Sequence, residues 1–105
     1  MQANIECMKD ILRYIIKNTK VKIDSDDFSV CTVSVGVLNV ISALSKDEKY
    51  GKEEVAYNML KCHKNKLIND NIPTKLNECI ASGNEIYDIT FKGEKFLNDE
   101  VDLIE

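Results

Sequence analysis

The sequence predicts a single domain of the α+β class over residues 1–105, and three observations support this prediction. The chain has 105 residues, 44% of them hydrophobic, with four glycines and one proline, a composition that suits one compact core. Several segments place apolar residues at the three- and four-residue steps of an amphipathic helix. Another segment, over residues 31–37, alternates apolar and polar side chains as a strand does.

The first predicted helix is IECMKDILRYIIKN. Its apolar positions recur at helical spacing and form one stripe, at Ile5, Met8, Ile11, Leu12, Ile15 and Ile16. The alternating segment follows, with Cys31, Val33 and Val35 on one side. The acidic cluster DSDD before Phe28 is a turn signal, so we predict a strand here, and a hairpin that begins at Val21 is one way to form it.

Two helices joined by a tight turn are predicted next. Leu38, Ile41 and Leu44 lie at helical spacing and are followed by charged residues and Gly51, which suits the N-cap of a helix over residues 52–66. The inward stripe of this second helix is expected to consist of Val55, Met59, Leu60 and His63. Two helices around a glycine-containing turn are the helix-turn-helix pattern.

The last third of the chain predicts two strands and a helix. The segments KLINDNIP and NEIYDITF are the strands, and they flank a polar loop over residues 74–83. Thr90 suits the N-cap of the last helix. The apolar face of that helix is expected to consist of Phe91, Phe96, Leu97, Val101 and Ile104. This order of elements is that of a winged helix-turn-helix: a three-helix core, a small antiparallel β-sheet whose loop is the wing, and a C-terminal helix.

Three segments also resemble landmarks of a known family. IECMKDILRYI, EEVAYNMLKCHKNKLI and IYDITFKGEKFL are similar, in this order, to motifs of a small winged-helix family of unknown function that is common in prophages and other mobile elements. The chain departs from that family at Asn58, Lys61 and Lys66, where the family favours histidine, leucine and glycine. The resemblance implies a winged-helix fold and a role in binding DNA or a partner, with no characterised chemistry.

The outward side of the helix over residues 52–66 is the candidate DNA-binding surface. It is expected to consist of Tyr57, Asn58, Lys61, Lys64 and Asn65. Asparagine suits adenine, lysine suits guanine or phosphate, and tyrosine suits phosphate. Lys75, in the predicted wing, is a further candidate. The competing interpretation is an ordinary solvated helix face, and Glu53, Glu54 and Glu78 would repel phosphate.

Charge is distributed unevenly along a chain whose net charge is −4. Residues 49–75 carry six basic and three acidic side chains, whereas residues 76–105 carry two basic and eight acidic ones. The basic middle suits double-stranded DNA as a partner. The acidic C-terminal segment suits a protein partner or the contact of a homodimer. The alternative is that the last helix packs on Ile11 and Ile15 of the same chain.

Other classes of protein are not favoured by the sequence. Cys62 and His63 are adjacent, and helix neighbours diverge by about 100°, so they do not form a thiolate–imidazole pair. With no glycine-rich phosphate loop and no paired carboxylates, we expect no enzyme and no cofactor. The four cysteines form no CxxC pair, which predicts reduced thiols and no metal site. The N-terminus MQANIECMKD lacks the features of an export signal, and no apolar run is long enough for a membrane, so we expect a cytoplasmic protein.

Two functional hypotheses remain after these exclusions. The first is a DNA-binding winged-helix protein, a transcriptional regulator or DNA-binding adaptor of a prophage or mobile element. The second is a protein–protein interaction module on a winged-helix scaffold, without DNA binding. The first predicts binding to duplex DNA that weakens steeply with salt, and the second predicts a specific protein partner.

Overall fold

The computed structural model describes residues 1–73 and 80–100. Within these ranges the chain forms four helices and five strands, and the strands belong to two small antiparallel sheets. The elements are α1 (Ile5–Asn18), β1 (Lys20–Asp24), β2 (Ser29–Val33), β3 (Val35–Gly36), α2 (Val37–Ser45), α3 (Lys52–Lys64), β4 (Ile68–Asp70), β5 (Glu85–Ile89) and α4 (Phe91–Leu97). The predicted α+β class is confirmed.

Helix α1 is the central helix of the core. Asn4 is its N-cap, and the side chain of Asn4 accepts a hydrogen bond from the backbone N–H of Cys7 at 3.2 Å. The stripe that is buried consists of Cys7, Met8, Ile11, Leu12 and Ile15. The predicted stripe is therefore confirmed in its middle but wrong at its two edges, because Ile5 and Ile16 are exposed.

Helices α2 and α3 pack on α1 and on each other. The side chains that α2 and α3 bury in the core are Val37, Val40, Ile41, Val55, Met59 and Cys62. Leu38, predicted as part of the apolar side of α2, is instead exposed. Val37 and Ile41 are four residues apart, and this spacing turns Leu38 away from the core.

The turn between α2 and α3 is held on α1 by Asp10. The Tyr50 hydroxyl donates a hydrogen bond to the Asp10 carboxylate at 2.8 Å, and the Lys49 ammonium reaches the same carboxylate at 3.3 Å. Burial raises the pKa of Asp10, but hydrogen bonds from Tyr50, Lys49 and Arg13 outweigh this and bring the pKa below its usual value. Burial and the bond to Asp10 raise the pKa of Tyr50 to about 12. These contacts fix where α3 begins.

The end of α3 is a Schellman motif. The Lys66 N–H donates to the His63 carbonyl and the Leu67 N–H donates to the Cys62 carbonyl, each at 3.0 Å. Lys66 has a φ of 58°, the left-handed conformation that such an end requires. Glycine adopts that conformation without strain, so glycine would suit this position better than lysine.

Helix α4 docks on the same turn by a close backbone approach. Thr90 is its N-cap, and the Thr90 side chain accepts a hydrogen bond from the Gly93 N–H at 3.0 Å and donates one to the Lys66 carbonyl at 2.7 Å. A Cβ built on Gly93 would lie 2.3 Å from the carbonyl oxygen of Leu67, so only glycine fits there. This contact fixes α4 against the end of α3.

Only part of the predicted apolar face of α4 is buried. Phe96 is buried and lies beside Lys9 of α1, whose Nζ is 5.9 Å from the ring centroid. Phe91 is exposed because it occupies the first position of the helix, on the side away from Phe96. The described part of the last helix thus packs within the chain, on α1. Val101 and Ile104 lie outside the described residues.

The larger sheet has three strands in the order β3–β5–β4. Both pairs are antiparallel, with Val35 opposite Ile86 and Ile68 opposite Ile89. Ile68, Ile86 and Ile89 are buried against the helices. The two predicted strands on either side of the polar loop are therefore confirmed, and residues 74–79 of that loop lie outside the described part of the chain.

Strands β1 and β2 form a separate hairpin. Lys20 pairs with Val33 and Asp24 pairs with Ser29, so a four-residue turn joins the strands. The hairpin that the sequence suggested is confirmed. The predicted single strand to Val37 is wrong, because the chain leaves the hairpin at Ser34 and β3 joins the other sheet. Every residue from Lys20 to Thr32 is exposed, although the alternation predicts one buried face.

Candidate nucleic-acid interface

Tyr57, Lys61 and Lys64 lie on the outward side of α3. Lys64 is exposed, and Tyr57 and Lys61 are half-buried. The Lys61 Nζ lies 5.4 Å from the centroid of the Tyr57 ring, one helical turn away, which is a cation–π contact. Lys66, exposed in the turn after the helix, extends the basic surface. We call Tyr57, Lys61, Lys64 and Lys66 the basic strip of α3.

The prediction that Asn58 faces outward is wrong. Asn58 has 0% exposure. Its Oδ1 accepts a hydrogen bond from the backbone N–H of Asn4, and its Nδ2 donates one to the carbonyl of Glu54, both at 2.8 Å. Asn58 therefore joins α3 to the start of α1 and is fully enclosed. The spacing from Val55 to Cys62 passes through position 58, so helical periodicity could have placed it inside.

Asn65 is also buried, which contradicts its predicted outward position. It is 4% exposed and forms the C-cap of α3. Its Nδ2 donates to the carbonyl of Lys61 at 2.9 Å. The helix ends there, so the side chain turns back onto the last turn and does not continue the outward face. Lys75, the predicted wing contact, lies outside the described residues.

His63 joins the end of α3 to strand β4. Its Nδ1 lies 2.9 Å from Oδ1 of Asp70, and this carboxylate also accepts the backbone N–H of Ile72 at 2.8 Å. Both side chains are almost completely enclosed, in agreement with the predicted inward position of His63. Sequence reasoning did not foresee Asp70 as its partner, since the contact depends on how β4 returns beside the helix. The pair holds the basic strip next to the sheet.

The two ends of α3 differ in charge. At the first turn Glu53 is exposed, and Glu54 accepts a hydrogen bond from the side chain of Asn4 at 3.1 Å. At the last turn, Lys64 and Lys66 border a shallow cleft of about 280 Å³ against β4. Carboxylates at the start and ammonium groups at the end both suit the helix dipole. An anion approaching α3 is therefore attracted to its C-terminal half.

The described thiols differ in their surroundings. Burial, with the nearby Glu54 and Asp10 carboxylates, raises the pKa of Cys7 to about 11. Burial also raises the pKa of Cys62. Cys31 is exposed in β2. Neither buried cysteine has the lowered pKa of an activated nucleophile.

The described parts of the chain contain neither a cluster of metal-binding side chains nor a membrane-spanning helix. No group of three His, Cys, Asp or Glu side chains there lies close enough together to hold a metal ion. In the same residues, every helix is too short or too polar to cross a membrane.

No family model, curated protein or solved structure matches this chain. The resemblance to the prophage winged-helix family therefore stays a prediction.

Proposed function

We propose that this chain is a winged-helix DNA-binding protein in which the basic strip of α3 contacts duplex DNA. The observation that carries the proposal is the order β3–β5–β4, with β3 before α2 and with α3 leading directly into β4. In a winged helix the strand before the second helix likewise pairs with the last strand, and the recognition helix is followed by the strand on the other side of that last strand. The β1–β2 hairpin is then an insertion between the first helix and the first strand.

The chemistry of the basic strip supports contact with phosphate more than reading of bases. Lys61, Lys64 and Lys66 form no ion pair with a carboxylate of the described residues. The Tyr57 ring holds the Lys61 ammonium at the surface, where it reaches a phosphate or the O6 and N7 atoms of guanine. Because Asn58 is buried, α3 loses its best candidate for adenine. We therefore expect strong salt dependence and modest sequence preference.

The proposal also includes a biological role: the protein acts as a transcriptional regulator or as a DNA-binding adaptor of a prophage or mobile element. It rests on the resemblance of the three sequence segments to the prophage family. It predicts that a duplex from the region upstream of the protein's own gene binds more tightly than a scrambled duplex of the same composition.

The experiment is a fluorescence-anisotropy titration against those two duplexes at 50 and 200 mM salt. The test variant carries Lys61→Glu and Lys64→Glu, and the control carries Lys46→Glu and Lys95→Glu, which change the net charge equally at exposed sites outside α3 and outside the hairpin. We expect the test variant to lose at least ~10-fold in affinity and the control to lose much less. Equal losses would mean that only overall charge matters, and no binding by the native chain at 50 mM salt would refute the proposal.

A second candidate function is the protein-interaction module. It is favoured by a specific observation, the exposure of Val21, Ile23, Phe28 and Val30 on the hairpin. The acidic C-terminal segment, also predicted to engage a partner, lies outside the described residues from 101 onward. This candidate function predicts that the native chain binds the upstream duplex no more tightly than the scrambled duplex. It also predicts that neither charge variant changes the affinity for either duplex.

A further inference from the structure

The two faces of the β1–β2 hairpin differ in chemistry. Its register puts one set of side chains on one face, namely Val21, Ile23, Val30 and Thr32. The other face carries Lys20, Lys22, Asp24, Ser29, Cys31 and Val33. Val21, Ile23 and Val30 are 64%, 74% and 66% exposed. A two-stranded hairpin is marginal in water by itself, so a face of this kind normally packs on something. We call the first set the apolar hairpin face.

The apolar hairpin face continues onto the body of the molecule at its base. Val21 and Thr32 line a cleft of about 270 Å³ together with Ile16 of α1 and Tyr87 of β5. Ile16 and Tyr87 are themselves 49% and 37% exposed. The exposed apolar surface therefore runs from the tip of the hairpin into a concave cleft where it joins the core.

We propose that this surface binds a second copy of the same chain, with the two apolar hairpin faces packed against each other about a two-fold axis. Such a contact is isologous, because each copy presents the same patch to the other. The tip of each hairpin, with Ile23 and Val30, then lies toward the base of its partner, where the cleft between Val21 and Tyr87 is open.

The absence of charge within the apolar hairpin face favours this occupant. Its four residues are all uncharged, so the patch meets its own copy without opposing like charges. The exposed apolar area amounts to a few hundred Å² in each copy, and two copies approach the ~1,000 Å² that a specific interface buries.

Charges around the hairpin favour the antiparallel orientation. The exposed base carries Lys17 and Lys20, and the exposed tip carries Asp24, Asp26 and Asp27 with no basic residue from 24 to 29. A two-fold axis that lies in the plane of the contact, perpendicular to the strands, places each acidic tip near the base of the partner. Asp88 and Glu94 line the cleft beside Lys20, so the base of the hairpin is close to neutral whereas its tip is acidic. Parallel packing would instead bring like charges together.

The test compares two substitutions one residue apart on the same strand. Val30→Lys puts an ammonium on the apolar hairpin face, and Cys31→Lys puts the same group on the opposite face. Both sites are exposed, so both variants are expected to keep the native circular dichroism spectrum and melting temperature. Ile23→Lys replaces Val30→Lys if the latter fails to fold. Sedimentation equilibrium with reductant, from 1 to 200 μM, then gives the dimer dissociation constant of each.

We expect the native chain and Cys31→Lys to dimerise with the same constant, and Val30→Lys to weaken the dimer at least ~30-fold. A native chain that is monomeric at 200 μM overturns the proposal. A dimer that Cys31→Lys dissociates would also overturn it, since that result would indicate pairing of strand edges. A dimer that neither substitution weakens would overturn it as well. The Lys61→Glu, Lys64→Glu variant is expected to dimerise normally, so this result is independent of DNA binding.

Discussion

The helical body and the β1–β2 hairpin both have regular apolar patterns, but only the body buries its apolar residues. In the body, apolar residues at helical spacing close a core in which Met8, Ile11 and Met59 have no exposed surface. In the hairpin, an alternation of comparable clarity gives two strands whose residues are exposed on both faces. Alternation therefore predicts a strand, whereas burial depends on whether another element is available to cover the face. In this chain the helices cover the three-stranded sheet and not the hairpin.

The largest expected difference between the two regions is in thiol reactivity. Cys31 is exposed on the hairpin, whereas Cys7 and Cys62 are buried in the body and have raised pKa values. Only the thiolate reacts with iodoacetamide, so Cys31 should be alkylated at least ~10³-fold faster at pH 8. Peptide mass spectrometry after timed quenching measures each site. Comparable rates for Cys7 and Cys31 would mean that the body opens readily, and denaturant should remove the difference.

The next effect is the cost of adding one methyl group to the body. Gly93→Ala places a Cβ against the Leu67 carbonyl and must separate α4 from the end of α3. We expect a loss of about 3 kcal/mol in the free energy of unfolding, measured by urea denaturation. Cys31→Ala on the hairpin is the control, with a change within about 0.5 kcal/mol. A tolerated alanine at Gly93 would contradict the close approach.

Removal of the buried amide should have a somewhat smaller effect. Asn58→Ala leaves the Asn4 N–H without its acceptor and creates a small cavity between α1 and α3. The expected loss is about 2 kcal/mol in the free energy of unfolding. The matched control is Asn39→Ala, an exposed asparagine on α2, which should change stability by at most a few tenths. If the two substitutions were equivalent, Asn58 would be facing solvent as the sequence interpretation had it.

The smallest effect is a gain in stability at the end of α3. Lys66→Gly relieves the left-handed backbone of a non-glycine residue, although it also increases the entropy of the unfolded chain. The net expectation is a stabilisation of about 0.5 to 1 kcal/mol. Lys64→Gly, two residues earlier and within the helix, should destabilise by about 1 kcal/mol. A loss at both positions would contradict the Schellman geometry.

The sequence predicts most of the elements of the body and much less of the candidate site. The helices and the flanking strands follow from periodicity, caps and turn residues, which act locally. The errors have physical causes. The inward stripe predicted for α3 leaves Asn58 and Asn65 on the outward side, but each asparagine finds backbone partners that compensate its burial. The partner of His63, Asp70, depends on the return of β4 beside α3, a contact that no local pattern encodes.

An NMR titration shows which of these two regions contacts DNA. A ¹⁵N-labelled sample is titrated with a 15-base-pair duplex at low salt while the backbone amide signals are followed. The proposal predicts shifts concentrated at Tyr57, Lys61, Lys64 and Lys66, with the hairpin amides of residues 20–33 unchanged. Shifts confined to the hairpin, or no shift at a duplex excess, would contradict the assignment of α3 as the DNA-binding element.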